Sequence, residues 1–243
     1  MTQDGPKGNR VALVTGSAKG MGRAIALALA GRASAVAVHY RGSAQEAAET
    51  AAEIERRGTR SAAFGADITD EAQAGGLIRK VEAAFGRLDI LVNNVGPFLV
   101  KPWQELSGGD WDAMFRAVLE SAYFCMKAAL PGMRSRGWGR VVNIGYGRAE
   151  RIGSFPTIMP YAIAKTGLLI LTRTAAVSEV ANGITVNMVS PGLIDGGVMP
   201  PGKIPPGSIG TFGDVARAVA CLASEEAAAV TGANIVVAGT WKM

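Results

Sequence analysis

Seven short runs rich in Val, Ile and Ala alternate along this chain with longer stretches of helical period, and this alternation constrains the fold more than any other feature. The runs are "RVALVT", "SAVAVHY", "RSAAFGA", "LDILVN", "RVVNIG", "ITVNMVS" and "ANIVVAG", with six helical stretches between them. Strand and helix in alternation build a parallel sheet, because each crossover places a helix on a sheet face. The expectation is an α/β protein: one doubly wound, seven-stranded parallel sheet with helices on both faces. It occupies residues 10–243 as a single domain after a flexible tail, residues 1–9. The Pro/Gly stretch "DGGVMPPGKIPPG" reads as a substrate lid over about residues 195–212, since loops this long without their own structure often close over sites.

Composition agrees with one compact domain and narrows its partners. At 49% hydrophobic residues the chain buries an ample core. The net charge of +5 is spread along the chain without a dense basic run, which argues against nucleic acid and suits an anionic small ligand. The polar opening "MTQDGPKGNR" and the lack of a long apolar span lead to a cytoplasmic protein with no membrane partner. Cys125 and Cys221 lie in apolar helical stretches and read as reduced core residues. With a single histidine, His39, no zinc cluster is expected.

The first strand runs directly into "TGSAKGMG" and then a helix. Gly16 permits a tight turn, Gly20 lets backbone approach a pyrophosphate and Gly22 allows close packing of helix on strand; with Ser17, Lys19 and Met21 they form a phosphate loop of the Rossmann type. An NAD site usually carries an acidic residue about twenty residues on, to bond the ribose 2′-hydroxyl. Here the second strand ends in "HYRGS", where Tyr40 is followed by Arg41. Arg41 and Lys19 suit a 2′-phosphate, with Ser17 and Ser43 as hydroxyl donors, so the expected cofactor is NADP(H).

"TGSAKGMG", "NNVG" and "YAIAK", in this order and followed by "PGLI", resemble the short-chain dehydrogenase/reductase family, and in particular its 3-oxoacyl-carrier-protein reductase-like members. The likeness runs from Arg10 to about Gly239. It implies that Asp67 and Ile68 border the adenine and that Asn94, Val95 and Gly96 turn beside the adenosine ribose. It implies too that Pro191, Gly192 and Ile194 lie against the nicotinamide carboxamide. Read from the residues alone, these are strand ends turning into loops, where open α/β sheets bind ligands.

Tyr161 and Lys165 stand one helical turn apart on one face. An ammonium and a cationic nicotinamide nearby favour the phenolate of a tyrosine, which then relays a proton to a carbonyl as hydride arrives. The resemblance gives Lys165 a second task, hydrogen bonding to the nicotinamide ribose. Three departures from the family stand out. The serine that steadies the substrate oxygen is replaced by Tyr146, and either Tyr146 or Ser154 is a candidate substitute; loss of such a donor costs on the order of a hundred- to a thousand-fold in rate. The asparagine that bends a helix and holds a relay water is replaced by Val118, seven residues after Trp111. The threonine beyond "PG" is replaced within Leu193, Ile194, Asp195 and Gly196.

Arg148, Glu150 and Arg151 flank Tyr146 as possible contacts of a polar or anionic substrate, and Phe98, Trp103, Met159 and Met199 as possible apolar walls. Two functions fit. One is an NADPH-dependent reductase of a small-molecule carbonyl, ketone or oxoacyl, with activated rings such as pterins or quinones as a variant. The other is a protein that binds NADPH without turnover. Apolar surface on the helices "GDWDAMFRAVLESAYFCMKAALPGM" and "YAIAKTGLLILTRTAAVSEV", and on the tail "VVAGTWKM", is expected to join copies into a homotetramer or homodimer, as the resemblance implies.

Overall fold

The computed structural model describes residues 9–197 and 209–239. Its strands are β1 (Val11–Val14), β2 (Ala35–Tyr40), β3 (Arg60–Gly65), β4 (Ile90–Asn93), β5 (Gly139–Ile144), β6 (Ile184–Pro191) and β7 (Asn234–Val237), one for each run read from the sequence. They form a single sheet in the order β3-β2-β1-β4-β5-β6-β7, every neighbouring pair parallel. Successive side chains of β1 serve opposite faces. Ala12 and Val14 pack with Ile25, Leu29 and Val219, whereas Val11 and Leu13 pack with Leu77, Ile78 and Met133. A strand buried on both faces needs apolar residues at every position, which is why these runs are continuous instead of alternating.

Helices α1 (Gly20–Leu29), α2 (Ala44–Arg56) and α7 (Phe212–Leu222) supply the first of these faces. Helices α3 (Glu71–Phe85), α5 (Ser121–Arg136) and α6 (Met159–Glu179) supply the second. The fourth helical stretch is not one helix: α4 (Gly108–Phe115) passes into a π-helical turn, Arg116–Glu120, before α5 begins. Cys125 is buried, and burial pushes its thiol up to about 12. Cys221 is exposed, against expectation, because α7 turns Val215, Ala216, Val219 and Ala220 inward and leaves position 221 on the opposite side.

The chain leaves β1 toward β2 and β3, then crosses back to β4 on the other side of β1. At such a reversal the loops following β1 and β4 part company and open a crevice at the carboxyl ends of the strands. The helix starts around it are not alike. Asp70 caps α3, and Ser107 with Asp110 and Thr211 with Asp214 form capping boxes on α4 and α7. Helix α1 has neither a side-chain cap nor an acidic residue in its first turn, so its free N–H groups face the crevice unanswered.

Only the margins of the expected lid are described, since residues 198–208 lie outside the described residues, as do residues 1–8 of the tail. Those margins are joined: Ile194 bridges Gly210, with Asp195 N–H donating to Gly210 O at 2.8 Å and Gly210 N–H to Leu193 O at 3.1 Å.

Candidate active site

The glycine loop has the shape a pyrophosphate requires. Gly16 and Gly20 take positive φ of 63° and 58°, a region that penalises side chains. A Cβ on Gly22 would stand 2.2 Å from Gly16 O and 2.6 Å from Asn94 Nδ2, so only glycine lets α1 approach the turn. Gly20, by contrast, has no atom within 4 Å of where its Cβ would be, leaving its backbone open to a ligand. The open glycine and the uncapped helix start together fit a dinucleotide phosphate. Met21 lines the cleft beyond it.

Side chains fix this loop from two sides. Asn94 N–H and Val95 N–H donate to Thr15 Oγ1 at 2.9 and 3.3 Å, and Asn94 Nδ2 donates to Thr15 O and Gly16 O. On the other side Gly16 N–H donates to His39 Nδ1 at 3.0 Å, which fixes the proton on Nε2, where it is donated to Ala66 O at 3.1 Å. Loss of water at His39 lowers its pKa and keeps the imidazole neutral. The sequence reading assigned His39 no role; the only clue was one polar residue inside an apolar strand.

The expected 2′-phosphate contacts divide. Arg41 and Lys19 are largely exposed at the loop's edge, each about a charge pair's reach from a carboxylate: Arg41 is 3.8 Å from Asp67 and Lys19 is 3.9 Å from Glu46. Ser43 precedes α2 without capping it, so its hydroxyl is uncommitted there. Ser17 is a correction. It is fully buried, with its hydroxyl donating to Val14 O and accepting from His39 N–H, and it holds the loop instead of meeting a ligand. Tyr40 lies over Gly65, where a Cβ would come within 3.0 Å of its ring. Asp67 accepts from Thr69 N–H and hydroxyl, which holds its carboxyl below the usual range, and Ile68 is packed into the core.

From the glycine loop a cleft of about 740 Å³ runs past Asn94 and Gly96 to Tyr146, Tyr161 and Lys165, and is walled opposite by Pro191, Gly192, Leu193 and Ile194. Tyr161 and Lys165 thus share one space with the loop, as their spacing in the sequence suggests. The Tyr161 ring is held edge-on between Phe98, 4.9 Å between centroids, and Tyr146, 5.5 Å. Lys165 is buried; its ammonium donates to Ile144 O and lies 5.8 Å from the Tyr161 ring.

Burial works against the expected phenolate. Desolvation raises the Tyr161 pKa, with Tyr146 adding to the rise, and desolvation brings Lys165 down to about 7. Two groups stripped of water both favour their neutral forms. Tyr161 is therefore held as a phenol, the form that donates a proton.

Of the two candidates for the missing serine, Tyr146 lines the cleft and Ser154 is exposed outside it. The Tyr146 hydroxyl is buried and has no hydrogen-bond partner in the protein, an arrangement that costs stability unless a ligand answers it. Val118 is buried inside the π-helical turn and packs against Gly96. The helix is thus distorted at this place without an asparagine. Phe98 is the only one of the four expected apolar wall residues found in the cleft among the described residues; Trp103 and Met159 lie elsewhere, and Met199 is outside the described residues. Arg148 lines the cleft, whereas Glu150 pairs with Arg173 and Arg151 is exposed.

Fold and site together define a nicotinamide-dependent oxidoreductase of the Rossmann type. The family model described as enoyl-(acyl carrier protein) reductase matches residues 16–240. The chain is 40% identical over 184 residues to the (2S)-[(R)-hydroxy(phenyl)methyl]succinyl-CoA dehydrogenase subunit BbsD of Thauera aromatica, covering 76% of this chain and 73% of that one. It is 34% identical over 243 residues to the 3-oxoacyl-[acyl-carrier-protein] reductase FabG of Staphylococcus aureus, covering 96% and 98%. Among solved structures, a blue fluorescent protein from a metagenomic library in complex with NADPH superposes with a TM-score of 0.87 at 34% identity, covering 96% and 98%. The chain belongs to the short-chain dehydrogenase/reductase family.

Proposed function

We propose that this protein is an NADPH-dependent reductase that converts a ketone or oxoacyl carbonyl to an alcohol. The observation that carries this reading is the single cleft in which the glycine loop, the Pro191–Ile194 wall and the Tyr161–Lys165 pair meet. Gly16, Gly20 and the start of α1 receive the pyrophosphate; Arg41, Lys19 and Ser43 receive the 2′-phosphate; Pro191, Gly192 and Ile194 back the nicotinamide. The bound cofactor supplies hydride. Tyr161, kept protonated by its dry surroundings, gives its proton to the carbonyl oxygen. Tyr146 donates a hydrogen bond to the same oxygen in place of the absent serine, using a hydroxyl that the protein leaves unpaired. Lys165 exchanges its bond to Ile144 O for one to the cofactor ribose.

Following NADPH consumption across ketones, oxoacyl thioesters, quinones and pterins tests this directly. Turnover that NADH supports poorly upholds the reading. Tight NADPH binding with no oxidation by any of these compounds contradicts it and leaves a cofactor-binding protein, a role that the apolar Val118 and the engaged Lys165 would suit.

We further propose that copies associate through α6, where Ile163, Ile170 and Val177, seven residues apart, are 43%, 63% and 80% exposed. Residues at that spacing form one stripe on a helix.

A further inference from the structure

Among the residues of the cleft, Arg148 is a cation without an assigned task. It is exposed, it lines the cleft beside Tyr146, and its charge partly offsets the rise that burial causes in the Tyr146 pKa. No carboxylate among the described residues pairs with it: the nearest in sequence, Glu150, is bound to Arg173.

The backbone that carries Arg148 is fixed on three sides. Ala149 N–H donates to Tyr146 O at 2.9 Å, closing a β-turn with Arg148 at its third position. Gly147 N–H donates to Pro191 O at 2.8 Å, and a Cβ on Gly147 would come within 3.1 Å of Gly192 Cα, so the turn is seated on the wall assigned to the nicotinamide. Thr166 on α6 donates its hydroxyl to Ala149 O at 3.1 Å. A guanidinium on a flexible stem is thereby mounted two residues from the proposed oxygen-holding tyrosine, with Cα atoms within about 7 Å. Of the remaining substrate walls, Phe98, Val100, Ile158, Leu193 and Phe212 are apolar and Thr157 is uncharged. The other basic residue of the cleft, Lys165, is buried and hydrogen-bonded. Among the described residues of the cleft, Arg148 is thus the one exposed cation that can receive a negatively charged substrate group.

We propose that Arg148 is the specificity-determining residue of this site and that the substrate class is a short oxo acid, an apolar carbonyl compound whose carboxylate is received by the Arg148 guanidinium. This rests on the reductase reading above and names the substrate class for it. Guanidinium and carboxylate match as a planar two-pronged pair, and a hydrogen bond to a charged partner in a partly dry cleft is stronger than one in water.

The test compares steady-state reduction of short 2- and 3-oxo acids with that of their methyl esters by the full chain and NADPH, in the wild type, Arg148→Met and Arg148→Lys. The wild type is expected to prefer the acids. Arg148→Met should lower kcat/KM for the acids about ten- to hundredfold, chiefly through KM, and leave the esters unchanged. Arg148→Lys should restore part of the loss. Equal use of acid and ester by the wild type, preference for the neutral ester or a thioester, or an equal loss on both substrates in Arg148→Met overturns the assignment while leaving the reductase intact. Absence of turnover with every carbonyl, NADPH still binding, overturns both.

Discussion

Tyr146 stands where the family resemblance leads one to expect a serine. Its buried, unpaired hydroxyl beside the Tyr161 ring gives it the means to hold a carbonyl oxygen. Tyr146→Phe keeps the ring packing and removes only the donor; kcat is expected to fall on the order of a hundredfold with NADPH affinity unchanged. An unaltered kcat would reduce Tyr146 to a wall residue. His39 gives a second expectation, on pH. Its folded pKa is depressed below 6.5, so the unfolded chain binds the extra proton first as pH falls. The contribution to stability is thus whole above pH 6.5 and is lost as pH falls from there through the folded pKa. Protonation would also set an imidazolium N–H against Gly16 N–H. Melting temperature measured between about pH 8 and about pH 5 should drop in the wild type and drop less in His39→Leu. At this scale the glycines, Tyr161 and Lys165 were legible because their spacing has a geometric meaning. His39 and the commitment of Ser17 were not, since which polar side chain closes on which backbone group depends on the register of β1 against β2.

Helix α6 carries both of the proposed catalytic residues, and a buried chain of polar groups sets its position. Asn93 Nδ2 donates to Asn143 Oδ1 at 2.8 Å, Asn143 Nδ2 donates to Thr172 Oγ1 at 2.9 Å, and Thr172 donates to Leu168 O at 2.7 Å. The chain links β4, β5 and α6 inside the core, where each unpaired member would be costly. Asn143→Val strands two partners at once and should destabilise the protein by about 1–3 kcal/mol in urea unfolding. A change of only a few tenths of a kcal/mol would mean the helix is placed by apolar packing alone. Strand and helix identities were readable in the sequence, because burial on both faces dictates apolar runs and amphipathic period dictates helices. The π-helical turn at Arg116–Glu120 was not, since no residue there signals it locally. Nor was the exposure of Cys221, which is decided by the rotation of α7 on the sheet.

Over the whole molecule, the reversal of strand order at β1 and β4 opens the crevice, and the uncapped start of α1 gives it a positive end. On the far side of α6 the stripe of Ile163, Ile170 and Val177 would be left in water by a lone copy. Ile170→Glu places a charge in its middle; light scattering is expected to show a multimer for the wild type and a smaller species for this variant, with the fold intact by circular dichroism. Equal masses would remove α6 from the interface.

Whether Tyr161 protonates the product oxygen in a cleft that holds NADPH decides the function of this protein. The most direct measurement is single-turnover oxidation of bound NADPH by a carbonyl substrate, wild type against Tyr161→Phe, with NADPH affinity determined in parallel. The expected result is an unchanged affinity and a rate lowered about a hundred- to ten-thousandfold. An unchanged rate in Tyr161→Phe would contradict the account.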